Sequence, residues 1–277
     1  MFTCYFFLPI AFNQVITRKA KLFRVLLDLS ANIKSALPLI SDFKIHIHLN
    51  GLPPDDFDYI RYVVSLNRIV SVDITTSTAA VSDKILAVNL GLEKARAGNY
   101  DLFFCVDNDL RIPTVTVRLM LETFASNKCE GVVCEKAPLV THASTEFQQS
   151  YSYFIGLALN YQIFPNRRPT GSFYCVDPLR LSAFPLVSNE GDYLTRFKII
   201  HTNTFVYSEY PHCETDEVSR RRRISLASDS LNYVRDIQNF EFVNHIERKF
   251  PFPSELQSDL FWRAFFTYKS VIERIDQ

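Results

Sequence analysis

The chain has 277 residues, with 30 Lys plus Arg against 30 Asp plus Glu. A formal net charge of +0 excludes a protein drawn to nucleic acid or anionic membrane by its overall field. Hydrophobic residues at 47% and charged residues at 22% exclude a disordered chain and fit a globular fold with a sizeable core. The cysteines (Cys4, Cys105, Cys129, Cys134, Cys175, Cys213) form no Cys-x-x-Cys pair and no His-rich spacing suited to zinc, so a reduced, cytoplasmic setting is expected. Met1 to Phe12 is apolar but has no basic leader, and it is far shorter than the ~20 residues of a membrane span. A soluble protein is expected, at most peripheral to the inner face of a membrane.

Taken in order, Thr3 to Ala11 predicts a first strand closing at Asn13, and Lys19 to Leu29 a helix with Leu22, Val25, Leu26 and Leu29 on one stripe. Lys44 to Leu49 predicts a second strand ending in Asn50-Gly51, before the turn Pro53-Pro54-Asp55-Asp56. Ile69 to Ile74 predicts a third strand followed by a polar Thr/Ser segment. Asp83 to Ala97 is the strongest helix, with Ile85, Val88, Leu92 and Ala95 on one face and Gly98 as its stop. Leu102 to Val106 is a strand buried on both faces. The first half therefore predicts alternating strands and helices, an α/β fold with a parallel sheet covered on both faces. Further helices are expected at Thr116 to Phe124 and from Asn189 to Phe197, with strands at Gly131 to Glu135, Ser172 to Val176 and Ile199 to Tyr207. Glu146 to Leu159 is rich in aromatics, and the C-terminal region has a helical stripe around Leu260, Phe261, Ala264 and Phe265.

At the end of the Leu102–Val106 run stand Asp107-Asn108-Asp109. In α/β sheets ligands bind at the carboxyl edge, and two carboxylates crowded there repel unless a cation lies between them. A hard divalent ion carried with substrate phosphates answers that repulsion; an exposed turn is the plainer alternative.

The order of motifs resembles the family 2 nucleotide-sugar glycosyltransferases of the GT-A fold over roughly residues 3 to 225. The resemblance rests on Pro9-Ile10-Ala11-Phe12-Asn13 after the first strand and on Lys84-Ile85-Leu86-Ala87-Val88-Asn89-Leu90-Gly91-Leu92 before the acidic motif. It continues through Asp107-Asn108-Asp109 with Pro113, Thr170-Gly171-Ser172-Phe173, Glu190-Gly191-Asp192-Tyr193-Leu194, and Arg220-Arg221-Arg222-Arg223. It implies a Rossmann-like, mostly parallel sheet with helices on both faces, a smaller acceptor-side region and C-terminal helices. The corresponding division is 1–115 for the donor half, 116–225 for the acceptor and base half, and 226–277 for a helical appendage.

By the resemblance, Asp109 and Asp107 hold Mn²⁺ or Mg²⁺. Pro9, Ala11, Asn13, Asn50, Lys84, Asn89, Asp107, Asn108, Arg220 and Arg223 line the donor, a UDP-sugar foremost. Gly171 and Ser172 face the acceptor, and Asp192 or Glu190, with Asp192 preferred, is the base. Where the family ends its second strand in paired aspartates, this chain has Asn50-Gly51, with Asp55 or Asp56 able to compensate from the turn. Gly191 also separates the usual Glu-Asp pair. The missing Gln-x-x-Arg-Trp motif implies single rather than processive addition, and direct displacement implies inversion. Plainer readings stand beside these. Lys84 fits a solvated first-turn lysine, and the Arg run fits a solvated face or a lipid or nucleic-acid patch. His201 and His212 fit structural roles, and Tyr151, Tyr153, Phe154 and Tyr161 fit core packing. The acceptor is a glycan, a lipid-linked or another hydroxyl compound, with peripheral membrane contact or a homodimer through the helices around Trp262. The alternatives are a nucleotidyltransferase, against which the Gly-free Ile10–Thr17 stretch argues, and a non-catalytic peripheral binding module.

Overall fold

The computed structural model describes residues 1–51, 61–63, 65–66, 74–80, 83–160, 169–186, 190–226 and 259–275, with backbone alone at 11–18, 157–160, 192 and 223–226. Strand β1 (Phe2–Ala11) lies inside the sheet and is buried from Cys4 to Ile10, as an unbroken apolar run requires. It leads directly into α1 (Phe12–Ala36), so Asn13 sits in the first turn of a helix rather than in a turn between elements. Helix α1 extends well past the expected Leu29 because its stripe continues through Ile33 and Ala36. Leu22, Val25, Leu26, Leu29 and Ile33 are all buried against the sheet. Each contributes about 2 kcal/mol of burial.

Strand β2 (Ile40–Asn50) pairs with β1 in parallel, Ala11 opposite Asn50, and is followed by Gly51 at φ 73. The Gly51 N–H donates to Ala79 O at 2.7 Å, a turn that needs the left-handed conformation glycine adopts freely. Strand β3 (Ile74–Ala79) starts where the expected third strand ends, so the polar Thr/Ser segment is itself strand; Ile69 to Asp73 lie outside the described residues. Its polarity follows from its place. β3 is the end strand of the sheet, and its hydroxyls serve the imidazoles of β2. His46 bonds Thr75 Oγ1 at 2.9 Å and Ser77 Oγ at 2.7 Å, while His48 bonds Ser77 Oγ at 2.6 Å. Burial, aided by Lys94 and by its neighbouring imidazole and Lys44, pulls His46 down to about 3, so that ring is neutral near neutral pH; burial and Lys94 lower His48 as well.

Helix α2 (Lys84–Ala97) opens on Asp83, whose carboxylate accepts from Ile85 N at 2.8 Å and Leu86 N at 3.1 Å. It buries Ala87, Val88, Gly91, Leu92 and Ala95. Gly91 lets the helix lie close on the sheet, since a β-carbon there would fall 2.7 Å from the Phe7 ring. Gly98 does cap the helix, but the left-handed residue is Asn99, at φ 54.

Strand β4 (Leu102–Val106) pairs with β1 in parallel and is buried throughout. After α3 (Thr116–Ser126) come β5 (Gly131–Pro138), α4 (Glu146–Asn160), β6 (Phe173–Val176), α5 (Glu190–Leu194) and β7 (Ile199–Ser208). The sheet order is β3-β2-β1-β4-β6-β5-β7, with β6 antiparallel to both β4 and β5, so the sheet is mixed but mostly parallel, with helices packed on it. The last described helices are α6 (Glu214–Leu226) and α7 (Asp259–Glu273).

The chain divides into two compact units, residues 1–136 with 169–206, and residues 137–168 with 207–277. The expected functional division at 115/116 lies within the first unit and that at 225/226 within the second. Within the second unit, Tyr151, Phe154, Phe261, Phe265, Tyr268 and Val271 form the core. The aromatic cluster of Tyr151 and Phe154 is thus packed in that core; Tyr161 lies outside the described residues. No helix among the described residues is long and apolar enough to cross a membrane.

Candidate active site at the carboxyl edge of the sheet

The segment after β4 is held rigidly by α1. Asp28 accepts from Arg111 Nε at 2.8 Å and from Ile112 N at 3.0 Å. Fully buried Asn32 accepts from Val117 N at 3.0 Å and donates to Ile112 O at 3.2 Å. These bonds fix the exit path of the chain, so Asp107, Asn108 and Asp109 stand at a defined place on the edge. The Asp107 N–H donates to Ser172 O at 2.8 Å, extending the β4–β6 pairing one step past Val106 and Phe173.

Lys84, the first residue of α2, closes over this edge. Its ammonium lies 2.7 Å from Asp107 Oδ1, 2.5 Å from Glu190 Oε2 and 3.1 Å from Gly171 O, an acceptor for each of its three protons. The side chain keeps 39% of its surface while Glu190 keeps 6%, so the stem of the lysine is partly open and the carboxylate is not. Glu190 Oε1 accepts from the Tyr174 hydroxyl at 3.0 Å, with Cys105 Sγ 3.7 Å away. Burial alone would depress the Lys84 ammonium, but Asp107 and Glu190 outweigh it and hold the group charged well above its ordinary range. The Glu190 carboxyl is raised, first by burial and then by Asp107, against the pull of Lys84.

Gly171 is required by this arrangement. A β-carbon there would lie 2.8 Å from Glu190 Cβ and 3.0 Å from its Oε2. Gly171→Ala is therefore expected to lower stability by about 2 kcal/mol through overpacking against a buried group. Urea unfolding of the variant would show it, and an unchanged midpoint would mean that Glu190 can move freely.

Asp109 differs from its neighbours. It is half-buried and, among the described residues, makes no hydrogen bond or ion pair. Counting ionised groups, Asp107, Asp109 and Glu190 against Lys84 leave two negative charges, the charge of one divalent cation. No cluster of three His, Cys, Asp or Glu side chains able to hold a metal occurs among the described residues. Asp107 and Asp109 are hard oxygen donors, which suits an ion that fills the rest of its shell with phosphate oxygens and water.

The other expected site residues divide into two groups. Pro9 (opposite His48), Ala11 and Asn50 lie at the carboxyl end of β1 and β2, with Asn50 buried. Asn108 is buried beside the aspartates, and Gly171 and Ser172 touch the Lys84 group. Other residues are engaged structurally. Asn89 spends both ends of its amide on the Phe184 backbone, at 2.8 and 2.7 Å. In the second unit, Arg220 is bidentate on fully buried Glu217 at 2.6 Å, Arg221 joins it at 2.9 Å, and Arg222 donates to the carbonyls of Arg274 and Ile275. Arg220 and Arg221 are thus tied into that unit through Glu217, and exposed Arg222 through the two carbonyls. The side chains of Asn13, Asp192 and Arg223 lie outside the described residues, as do Asp55 and Asp56. Tyr174 and Cys105 are additions that the sequence did not single out, since each is one polar side chain within an apolar strand.

No protein-family model and no curated protein matches the chain. Solved structures do. TarS 1-349 from S. aureus, in complex with UDP-GlcNAc, superimposes with a TM-score of 0.52 at 14% identity, over 99% of this chain and 83% of that one. The mannosyltransferase PcManGT from Pyrobaculum calidifontis, in complex with GDP-Man and Mn²⁺, gives 0.53 at 12% identity, over 97% and 73%. At such identities the likeness is one of fold: the chain has the α/β fold of the GT-A-type nucleotide-sugar glycosyltransferases.

Proposed function

We propose that the protein is a glycosyltransferase that moves a sugar from a nucleoside diphosphate sugar to an acceptor hydroxyl, one residue at a time and with inversion. The observation that carries this reading is Asp109, a carboxylate without a partner among the described residues, beside Asp107 at the carboxyl edge of a GT-A-type sheet. Support also comes from the fold's relatives, of which TarS has been crystallised with UDP-GlcNAc and the mannosyltransferase with GDP-Man and Mn²⁺. Asp109 and Asp107 would hold Mn²⁺ or Mg²⁺, which when bound supplies a Lewis acid for the leaving diphosphate. Asn50, Pro9 and Ala11 would border the nucleoside, with a UDP-sugar as the first donor to test. Gly171 and Ser172 would border an acceptor of glycan, lipid-linked or other hydroxyl class.

The chain's own contribution is electrostatic. Lys84 is fixed between Asp107 and Glu190, so its positive charge is already oriented where charge grows on the departing diphosphate, without reorganisation during reaction. Glu190 orients the lysine with one oxygen and accepts from the Tyr174 hydroxyl with the other. The test is calorimetry and donor hydrolysis with a panel of UDP- and GDP-sugars, with and without Mn²⁺. Metal-dependent binding of at least one donor is expected. Binding of none of them in either buffer would overturn the reading.

A further inference from the structure

Inverting transfer requires a base for the acceptor proton, and the first unit holds a second cluster of the right chemistry. His201 Nδ1 lies 2.6 Å from Glu135 Oε1, with the imidazole side chain 19% exposed and the carboxylate 7%. A carboxylate only accepts, so Nδ1 carries the hydrogen and Nε2 is left with a lone pair. Among the described residues nothing bonds to Nε2. Nucleophilic and acid–base sites have this form, a base whose far nitrogen is fixed by a third group.

The sheet register locates the pair. Cys105, Tyr174 and Val133 are opposite one another across β4, β6 and β5, and all three belong to the core on the α2 side. Two residues on, alternation brings Asp107, Ser172 and Glu135 to that same face at one level. On β7, Ile199 packs against that core and Ile200 against the opposite one, which puts His201 back on the Asp107 side. The Thr202 hydroxyl donates to Val133 O at 3.4 Å, which sets the His201 backbone beside Val133, about two residues short of the Glu135 level, with its ring reaching along the strand to Glu135. Glu135 is thus two strand spacings from Asp107, about 10 Å, with His201 one strand beyond.

We propose that His201, held by Glu135, is the base for the acceptor hydroxyl, a step that rests on the glycosyl-transfer reading above. As the hydroxyl oxygen bonds to the anomeric carbon, its proton passes to His201 Nε2. The bond from that carbon to the diphosphate oxygen breaks, and its electron pair leaves with the nucleoside diphosphate. Glu135 stabilises the imidazolium so formed and acts as a positioning residue.

The test uses water as acceptor, with the full chain, Mn²⁺ and whichever UDP- or GDP-sugar the wild type hydrolyses. His201→Ala is expected to lower turnover about 100-fold, the lower end of what a positioned base provides. Affinity for the nucleoside diphosphate and Mn²⁺ should stay within about twofold, as expected for a group that acts on the attacking oxygen alone. Added imidazole should restore hydrolysis in His201→Ala and not in the wild type. Glu135→Gln should show a smaller loss and a pH profile displaced from that of the wild type. Turnover unchanged in His201→Ala, or a loss that imidazole does not restore, overturns the proposal, as does a loss carried by Asp192→Asn alone. A wild type that neither binds nor hydrolyses any donor fails the glycosyl-transfer reading itself, a distinct result.

Discussion

Asp109→Ala is expected to lower metal-dependent donor hydrolysis by about three orders of magnitude and to leave thermal unfolding in metal-free buffer close to the wild type. The two halves have one cause. Asp109 is half-buried and bonded to no group among the described residues, so the fold draws nothing from its carboxylate. Removing it relieves repulsion from Asp107 and leaves the edge with one negative charge fewer. In the metal-loaded protein the same carboxylate would share in stabilising the leaving diphosphate, worth several kcal/mol, and a thousandfold loss is about 4 kcal/mol. Asp107 cannot be read so cleanly, because it also carries Lys84 at 2.7 Å and continues the pairing with β6. The measurement is the rate of UDP-sugar hydrolysis with Mn²⁺ beside the unfolding temperature in EDTA. A variant that loses activity and unfolds early would make Asp109 a structural residue.

What the sequence disclosed follows from how each element earns its stability. β1, β4 and α2 were legible because they are buried in simple periods: unbroken apolar runs for the inner strands, a 3.6-residue stripe for the helix. β3 was not, because an end strand whose Thr75 and Ser77 serve two buried imidazoles looks like loop. In the site, Lys84 and the Asp107–Asp109 motif were visible as residue types in order, and the structure brings Lys84, Asp107, Glu190 and Gly171 within bonding distance. Residue type does not give the partner. Asn89 and Arg220 have groups suited to a phosphate or ribose, and their hydrogen bonds go to the Phe184 backbone and to Glu217. Pairing of Glu135 with His201, 66 residues apart, depends on which strands are neighbours, and no local pattern contains that.

Lys84→Met is expected to destabilise the first unit by about 3 kcal/mol at pH 8 and by about 1 kcal/mol at pH 5, a steeper fall with pH than the wild type shows. Glu190 is almost fully buried and has one cationic partner among the described residues, Lys84. Removing one member of a buried pair typically costs 3–5 kcal/mol; the lower end applies because Lys84 is more than one-third exposed. The sign follows from linkage. Burial and Asp107 already raise the Glu190 carboxyl, and without Lys84 the opposing pull is gone, so the folded chain holds that proton more tightly than the unfolded one. Stability then falls as pH rises above the ordinary glutamate range, and returns as pH drops and the carboxyl is neutralised. In the wild type the ammonium, raised above its ordinary 10.5, keeps its full contribution across pH 5 to 8 and loses it only in strong alkali. Urea unfolding at the two pH values in EDTA measures the difference, and a gap of equal size at both would mean that lost packing, not the unpaired carboxylate, is the cause. Lys84→Met combined with Glu190→Gln separates these further. With neither charge present the penalty of the unpaired carboxylate disappears, so the double variant should be more stable at pH 8 than Lys84→Met alone, while remaining without donor turnover because the fixed cation is gone.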